Sequence, residues 1–210
     1  MLLQAPSLAL NQVEEHQRRI EGTQEELKDY LSQISDENLS EEDVDWKFIV
    51  LDYSQELTEI GTLIRRDLCD AAIRQIQLNQ EPSPDDKEEL EAFYARTLER
   101  IEKATAILMS REPRLAEEFI REKEQINIRF RRSRKARLEK PLSEQSASSN
   151  VVDIINCLRR INSQLTSLAY AIVRDSTRSG ETTGHSPELE EAWLEDSAKL
   201  EAKQPAIKDS

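Results

Sequence analysis

The longest apolar periodicity in the chain runs from Val151 to Val173, VVDIINCLRRINSQLTSLAYAIV. Ile154, Leu158, Ile161, Leu165, Leu168 and Ile172 recur three or four residues apart, which is the period of a helix. Arg159, Arg160, Asn162, Ser163, Gln164, Thr166 and Ser167 form the polar line between them. An apolar face this wide needs partners on more than one side. The pattern therefore predicts an all-α, antiparallel helical bundle with this segment as its central helix.

Four earlier segments carry the same period in narrower form. From about Leu8 to Ile34 the stripe is Val13, Ile20, Leu27 and Leu31, with Tyr30 beside it; the rest is charged or amide, so one side alone packs. Gly22 interrupts it at a cost of about 1 kcal/mol. Ser35-Asp36-Glu37-Asn38 is a turn cluster. The second segment runs from Ser40 to about Leu78 with Val44, Phe48, Leu51, Leu57, Ile60, Ile64, Leu68, Ala71 and Ile76 in phase. Ser40 is placed to cap the Asp43 amide, and Glu41, Glu42 and Asp43 suit the positive end of the helix dipole. Gly61 in mid-helix predicts close approach of a neighbouring helix.

The third segment opens with Ser83-Pro84-Asp85-Asp86, a strong start signal. Its predicted stripe is Leu90, Phe93, Tyr94, Leu98, Ile101, Ala104 and Leu108, and Pro113 ends it. The fourth runs from Pro113 to about Lys140, with Leu115, Phe119, Ile126, Phe130 and Leu138 directed at the core. PLSEQSASSN, 141–150, predicts a Ser-rich loop that caps the central helix. The implied organisation is an N-terminal connector, 1–7, left by excision from something larger; a bundle, 8–174; a flexible linker, 175–186; a short helix with Trp193, 187–203; and a disordered tail, 204–210.

Composition narrows the function. Charged residues make up 34% of the 210, aromatics 5%, and the net charge is -13. Such a balance favours long solvated helices and argues against general binding of nucleic acid or anionic membranes. No apolar run approaches the roughly 20 residues of a bilayer-spanning helix, and MLLQAPSLAL lacks the basic start of a signal peptide. Cys69 and Cys157 have no metal-ligand spacing and read as reduced, buried thiols of a cytoplasmic protein, with a disulfide as the alternative. His16 and His185 have no catalytic partner at a recognisable spacing, and no phosphate loop or zinc-protease pattern occurs. The chain reads as a binding module and not as an enzyme. One concentrated basic patch stands out: Arg129, Arg131, Arg132, Arg134, Lys135 and Arg137. It either pairs with acidic helix faces or docks an acidic partner, a phosphorylated ligand or lipid headgroups.

Two stretches carry a family resemblance. Leu158-Arg159-Arg160-Ile161-Asn162-Ser163-Gln164, followed by Ala169-Tyr170, resembles the last helix of PhoU-like domains. It is most similar to the cytosolic C-terminal domains of bacterial sodium/phosphate cotransporter-related proteins, with Gln164 in place of a family histidine. Leu57-Thr58-Glu59-Ile60-Gly61-Thr62 looks like the L-E-R-I-G-D segment of the first PhoU repeat. The resemblance implies three-helix repeats and a regulatory role in phosphate homeostasis, exerted at the inner face of the membrane through a transporter or signalling partner.

Many members bind metal clusters through E-x-x-x-D motifs, whose two carboxylates share a helix face. Here those positions fall on Thr58 and Thr62, and on Arg159 and Ser163. A guanidinium repels a cation, so no metal or other cofactor is expected. Asp52, Glu56 and Glu59 remain as surface acids or as partners of Arg159 or Arg160. Five strong helices stand where two repeats need six, which predicts an apolar groove filled by the Trp193 helix, a transporter segment or, preferentially, a second copy in a homodimer. Two alternatives stay open: a phosphate sensor with a metal site rebuilt from Asp52 or Glu56 with Asp153, and a generic structural bundle.

Overall fold

The computed structural model describes residues 4–77, 82–139 and 142–178. The expected 187–203 helix, the 204–210 tail and the linker beyond residue 178 lie outside them, as do Lys140 and the Leu138 side chain. The described elements are α1 (Gln4–Ser32), a 3-10 turn (Asp36–Asn38), α2 (Glu41–Leu63), a π-helical segment (Ile64–Leu68), α3 (Cys69–Gln77), α4 (Pro84–Ser110), α5 (Pro113–Leu138) and α6 (Leu142–Arg178). No strand occurs among the described residues, so the fold is an all-α bundle. No described helix is long and apolar enough to cross a membrane.

The helix boundaries follow local chemistry. Ser40 accepts a hydrogen bond from the Asp43 amide, and Ser83 from that of Asp86. Both caps satisfy first-turn amides that have no partner within the helix. Pro84 and Pro113 sit at the starts of α4 and α5, where a missing amide hydrogen costs nothing. Between those helices Arg111 takes the left-handed conformation, with φ 54°, a position usually given to glycine. Its guanidinium lies over the Trp46 ring of α2, 3.8 Å from the centroid. That stacking offsets part of the backbone cost and ties the α4–α5 corner to the start of α2.

Three boundaries differ from the sequence expectation. α1 is already helical at Gln4, inside the expected connector. The expected Ser-rich loop is helical from Leu142. Residues 142–150 contain no Gly or Pro, and extending an existing helix is far easier than starting one. The same argument carries α6 to Arg178, past the expected linker boundary at residue 175. The second segment is helical throughout 41–77, but its middle is a π-helical turn in which the Cys69 amide donates to Ile64 O. Nothing in the sequence Ile64–Leu68 announces this extra residue.

The central helix is central. α6 packs against α2, α4 and α5 and also meets α3 and the π segment; among the described residues α1 packs chiefly on α2 and the π segment. α6 runs parallel to α4, as Thr97 faces Asn162 and Arg100 faces Thr166. It runs antiparallel to α2, through Glu59–Gln164, Asp67–Arg160 and Arg74–Asp153. α1 returns along α2, pinned where Lys47 Nζ donates to Ile34 O and pairs with Asp36.

Buried positions in α6 step 151, 155, 158, 162, 165, 169, 172 and 176. Those in α5 include 116, 119, 123, 126, 133 and 137, and in α4 the step is 86, 93, 97, 100, 104 and 107. This alternation of three and four residues is the seam of left-handed helix packing. In α4 it corrects the predicted stripe. Tyr94 and Leu98 are exposed (55% and 45%), while Thr97 and Arg100 are buried. Ile20, Phe48, Leu57, Ile76 and Leu115, all expected in the core, are exposed as well. The core itself gathers Tyr53, Ile60, Leu63, Phe93, Phe119, Ile155, Ile161 and Leu165 around α6.

Candidate functional site

The residues singled out by the family resemblance fall into three groups. Ile60, Ile161 and Ala169 are plain core residues, and Asn162 is buried in a polar network. Gly61, Thr58 and Thr62 meet α1. Arg159, Arg160, Ser163, Gln164 and Tyr170 are exposed or half-buried on α6.

Gly61 is where α1 comes closest. A methyl group built there would stand 1.9 Å from Oε1 of Gln17. Gln17 is itself buried and its Nε2 donates to Thr62 Oγ1 (3.2 Å), Glu21 Oε1 (2.7 Å) and, at 3.4 Å, Thr58 O. The predicted close approach of a helix thus holds, through a glutamine that the sequence reading passed over. Thr58 and Thr62 hydroxyls donate to carbonyls one turn back. Gly61→Ala gains about 1 kcal/mol of helix propensity and loses hydrogen bonds of Gln17 worth about 1 kcal/mol each. Global stability is expected to change by less than about 1 kcal/mol, while amides of 13–21 exchange faster. Unchanged exchange in α1 would show that Gln17 does not anchor that helix.

On the α6 side, Arg160 pairs with Asp67 at 2.6 Å, and Arg66 takes the other oxygen at 2.8 Å. Arg66, then Arg160, hold the Asp67 carboxyl below its usual range. This fixes the π segment to α6. Gln164 Nε2 donates to Glu59 Oε2 at 3.1 Å. One turn away, Glu56 lies against α6 beside Ser167. Burial, then Glu59 and Asp52, push the Glu56 carboxyl up to about 7. Of the three acids, Glu59 answers Gln164, and neither Arg159 nor Arg160 takes any of them.

Arg159 turns the other way, toward α5. It stands over the Phe130 ring, 5.1 Å from the centroid, and donates only to Asn156 Oδ1, by Nε and Nη2. Burial, then Arg160, lower its pKa. The four family metal positions therefore do not converge, since Thr58 and Thr62 face α1 while Arg159 faces α5. The rebuilt site fails as well. Asp153 pairs with Arg74 and lies about 21 Å along α6 from Ser167, the α6 residue beside Glu56. Among the described residues no three of His, Cys, Asp and Glu are arranged to hold a metal ion.

The basic patch divides. Arg129, Arg131, Arg132, Arg134 and Lys135 are exposed; Arg129 leans over Phe93, and Arg131 pairs with Glu124 at 2.7 Å. Arg137 belongs to the interior and is no docking residue. It is buried, pairs with Asp86 (2.7 Å) and Glu89 (2.6 Å), and bonds Ser133. Its place on the packing seam, four residues after Ser133, is what buries it. The thiols of Cys69 and Cys157 are free; burial raises both, Cys157 to about 11, so neither is an activated nucleophile.

A polar layer crosses the core between α4, α5 and α6, unseen in the sequence. Arg100, fully buried, donates to Phe119 O (3.1 Å), Glu122 Oε2 (3.0 Å) and Thr166 Oγ1 (2.9 Å) and stacks on the Phe119 ring at 3.6 Å. Asn162 Nδ2 donates to Thr97 Oγ1 at 2.8 Å. Lys103 reaches the other oxygen of Glu122 at 2.7 Å. The three-four spacing through Thr97 and Arg100 is the signal that locates this layer.

No protein-family model matches the chain, and comparison with curated proteins and with solved structures finds no match. Fold and site together define an all-α bundle built on one shared helix, with a polar strip of that helix lying between α2 and α5.

Proposed function

We propose that this bundle is a non-catalytic regulatory module of the PhoU-like kind, acting on phosphate uptake through protein contacts at the cytoplasmic face of a membrane transporter or on a signalling partner. The observation that carries the reading is the meeting of the two family-like segments. The Leu57–Thr62 stretch of α2 lies antiparallel to the Arg159–Gln164 stretch of α6, joined by Glu59 and Gln164. Segments far apart in sequence are thus brought side by side, meeting at Glu59 and Gln164. Exposed apolar side chains on α4, Tyr94 and Leu98, supply contact area for a partner or for the second copy of a homodimer.

Tagged protein recovered from membranes is expected to bring down a phosphate transporter, and loss of the protein is expected to change phosphate uptake at least twofold. Light scattering on the same preparation should give twice the chain mass. Unaltered uptake together with no membrane association would overturn the proposal. A generic structural bundle is then the remaining reading, favoured by the regular three-four seam, which unrelated bundles share.

A further inference from the structure

Among the described arginines, only Arg100, Arg137 and Arg159 are not exposed. The first two are neutralised: Arg100 by Glu122, and Arg137 by Asp86 and Glu89. Arg159 has no carboxylate among the described residues, although the chain carries a net charge of -13. A guanidinium drawn partly out of water without a counter-charge is costly. It marks a place where an anion belongs. The surroundings are also basic. Arg134 lies one turn beyond Phe130 on α5, Lys135 follows it, and both are exposed without an ion-pair partner among the described residues.

We infer that Arg159 and Arg134 form a docking site for the chain's own acidic segment, Glu188 to Asp196. That stretch, ELEEAWLED, holds Glu188, Glu190, Glu191, Glu195 and Asp196 and no basic residue. The reach fits. Arg159 lies about 28 Å back along α6 from Arg178, at 1.5 Å per residue. Residues 179–187, extended, span about 30 Å, so the first acids arrive level with Arg159. Carboxylates meeting guanidinium groups in a half-buried setting form charge-assisted, often bidentate bonds. The contact would cover the strip of α6 between α2 and α5, so that the segment acts as an internal competitor for any partner of that strip.

The chain has two tryptophans, Trp46 and Trp193. In the full chain carrying Trp46→Phe, Trp193 is the sole reporter of the segment. Acrylamide quenching of its fluorescence is expected to be at least twofold weaker at 50 mM salt than at 500 mM, because screening releases the segment. Arg159→Gln with Arg134→Gln should abolish that difference while circular dichroism stays unchanged. Should those substitutions disturb the bundle, Glu188→Gln with Glu190→Gln and Glu191→Gln makes the same test from the segment's side. Three results each overturn the inference: a Trp193 as accessible as free tryptophan at every salt; protection indifferent to both sets of substitutions; and protection that vanishes on dilution, which would assign the site to the segment of a second copy.

Discussion

Replacing Glu122 by alanine is expected to lower stability by about 3 kcal/mol, while replacing Arg100 by methionine should cost less than about 1 kcal/mol. The asymmetry comes from what each change leaves behind. Without Glu122 the Arg100 guanidinium stays fully buried, held by Phe119 O, Thr166 and the Phe119 ring but with no counter-charge. Burial already lowers its pKa to about 10 with Glu122 present. Methionine instead fills the stem's volume with no charge to satisfy, Glu122 keeps Lys103, and Thr166 still donates to Asn162 O. Urea unfolding of the two variants, with an unchanged slope, measures the difference. Equal losses would mean that the ion pair contributes through packing alone.

The second large effect is a pH dependence that resides in Glu56. Its carboxyl is raised from 4.5 to about 7 in the folded protein, by burial first and then by Glu59 and Asp52. The folded state therefore holds a proton that the unfolded chain releases. The stabilisation is complete below about 4.5 and disappears as pH rises through about 7. One unit corresponds to about 1.36 kcal/mol; discounted for a side chain that water partly reaches, the change is about 2 kcal/mol. Glu56→Gln, neutral at every pH and close to the parent side chain in shape, should be the more stable protein at pH 8 by about that amount and equal to the parent at pH 4.5. Parallel stability curves for the two proteins would place the titration elsewhere.

How much of this was legible in the sequence depends on what each residue touches. The apolar run of α6 announced a central helix, because Leu158, Ile161, Leu165 and Leu168 leave no other solution. Caps such as Ser40 and Ser83 were equally plain, being local chemistry. α4 was misread because apolar character was taken as the guide to the core. Arg100 is buried by what α5 and α6 offer it, and Tyr94 and Leu98 lie on the flank of the seam. Arg137 was misread for the same reason, since its carboxylates lie on α4, about fifty positions earlier in the chain. The π-helical turn could not be seen at all. The LTEIGT and RRINSQ segments were singled out by resemblance, and their meeting across α2 and α6 is a tertiary fact that neither segment states.

That one helix serves as partner to all its long neighbours except α1 has a bearing on biosynthesis. α6 is the last described element to leave the ribosome. Asp67 waits 93 residues for Arg160, about 5 to 19 seconds at usual elongation speeds. Until then the apolar faces of α2, α4 and α5 have no common surface to close on, although α1 can already pair with α2. Its folding is held back until α6 has emerged, and the interval before that is when a chaperone or a premature partner finds the chain open.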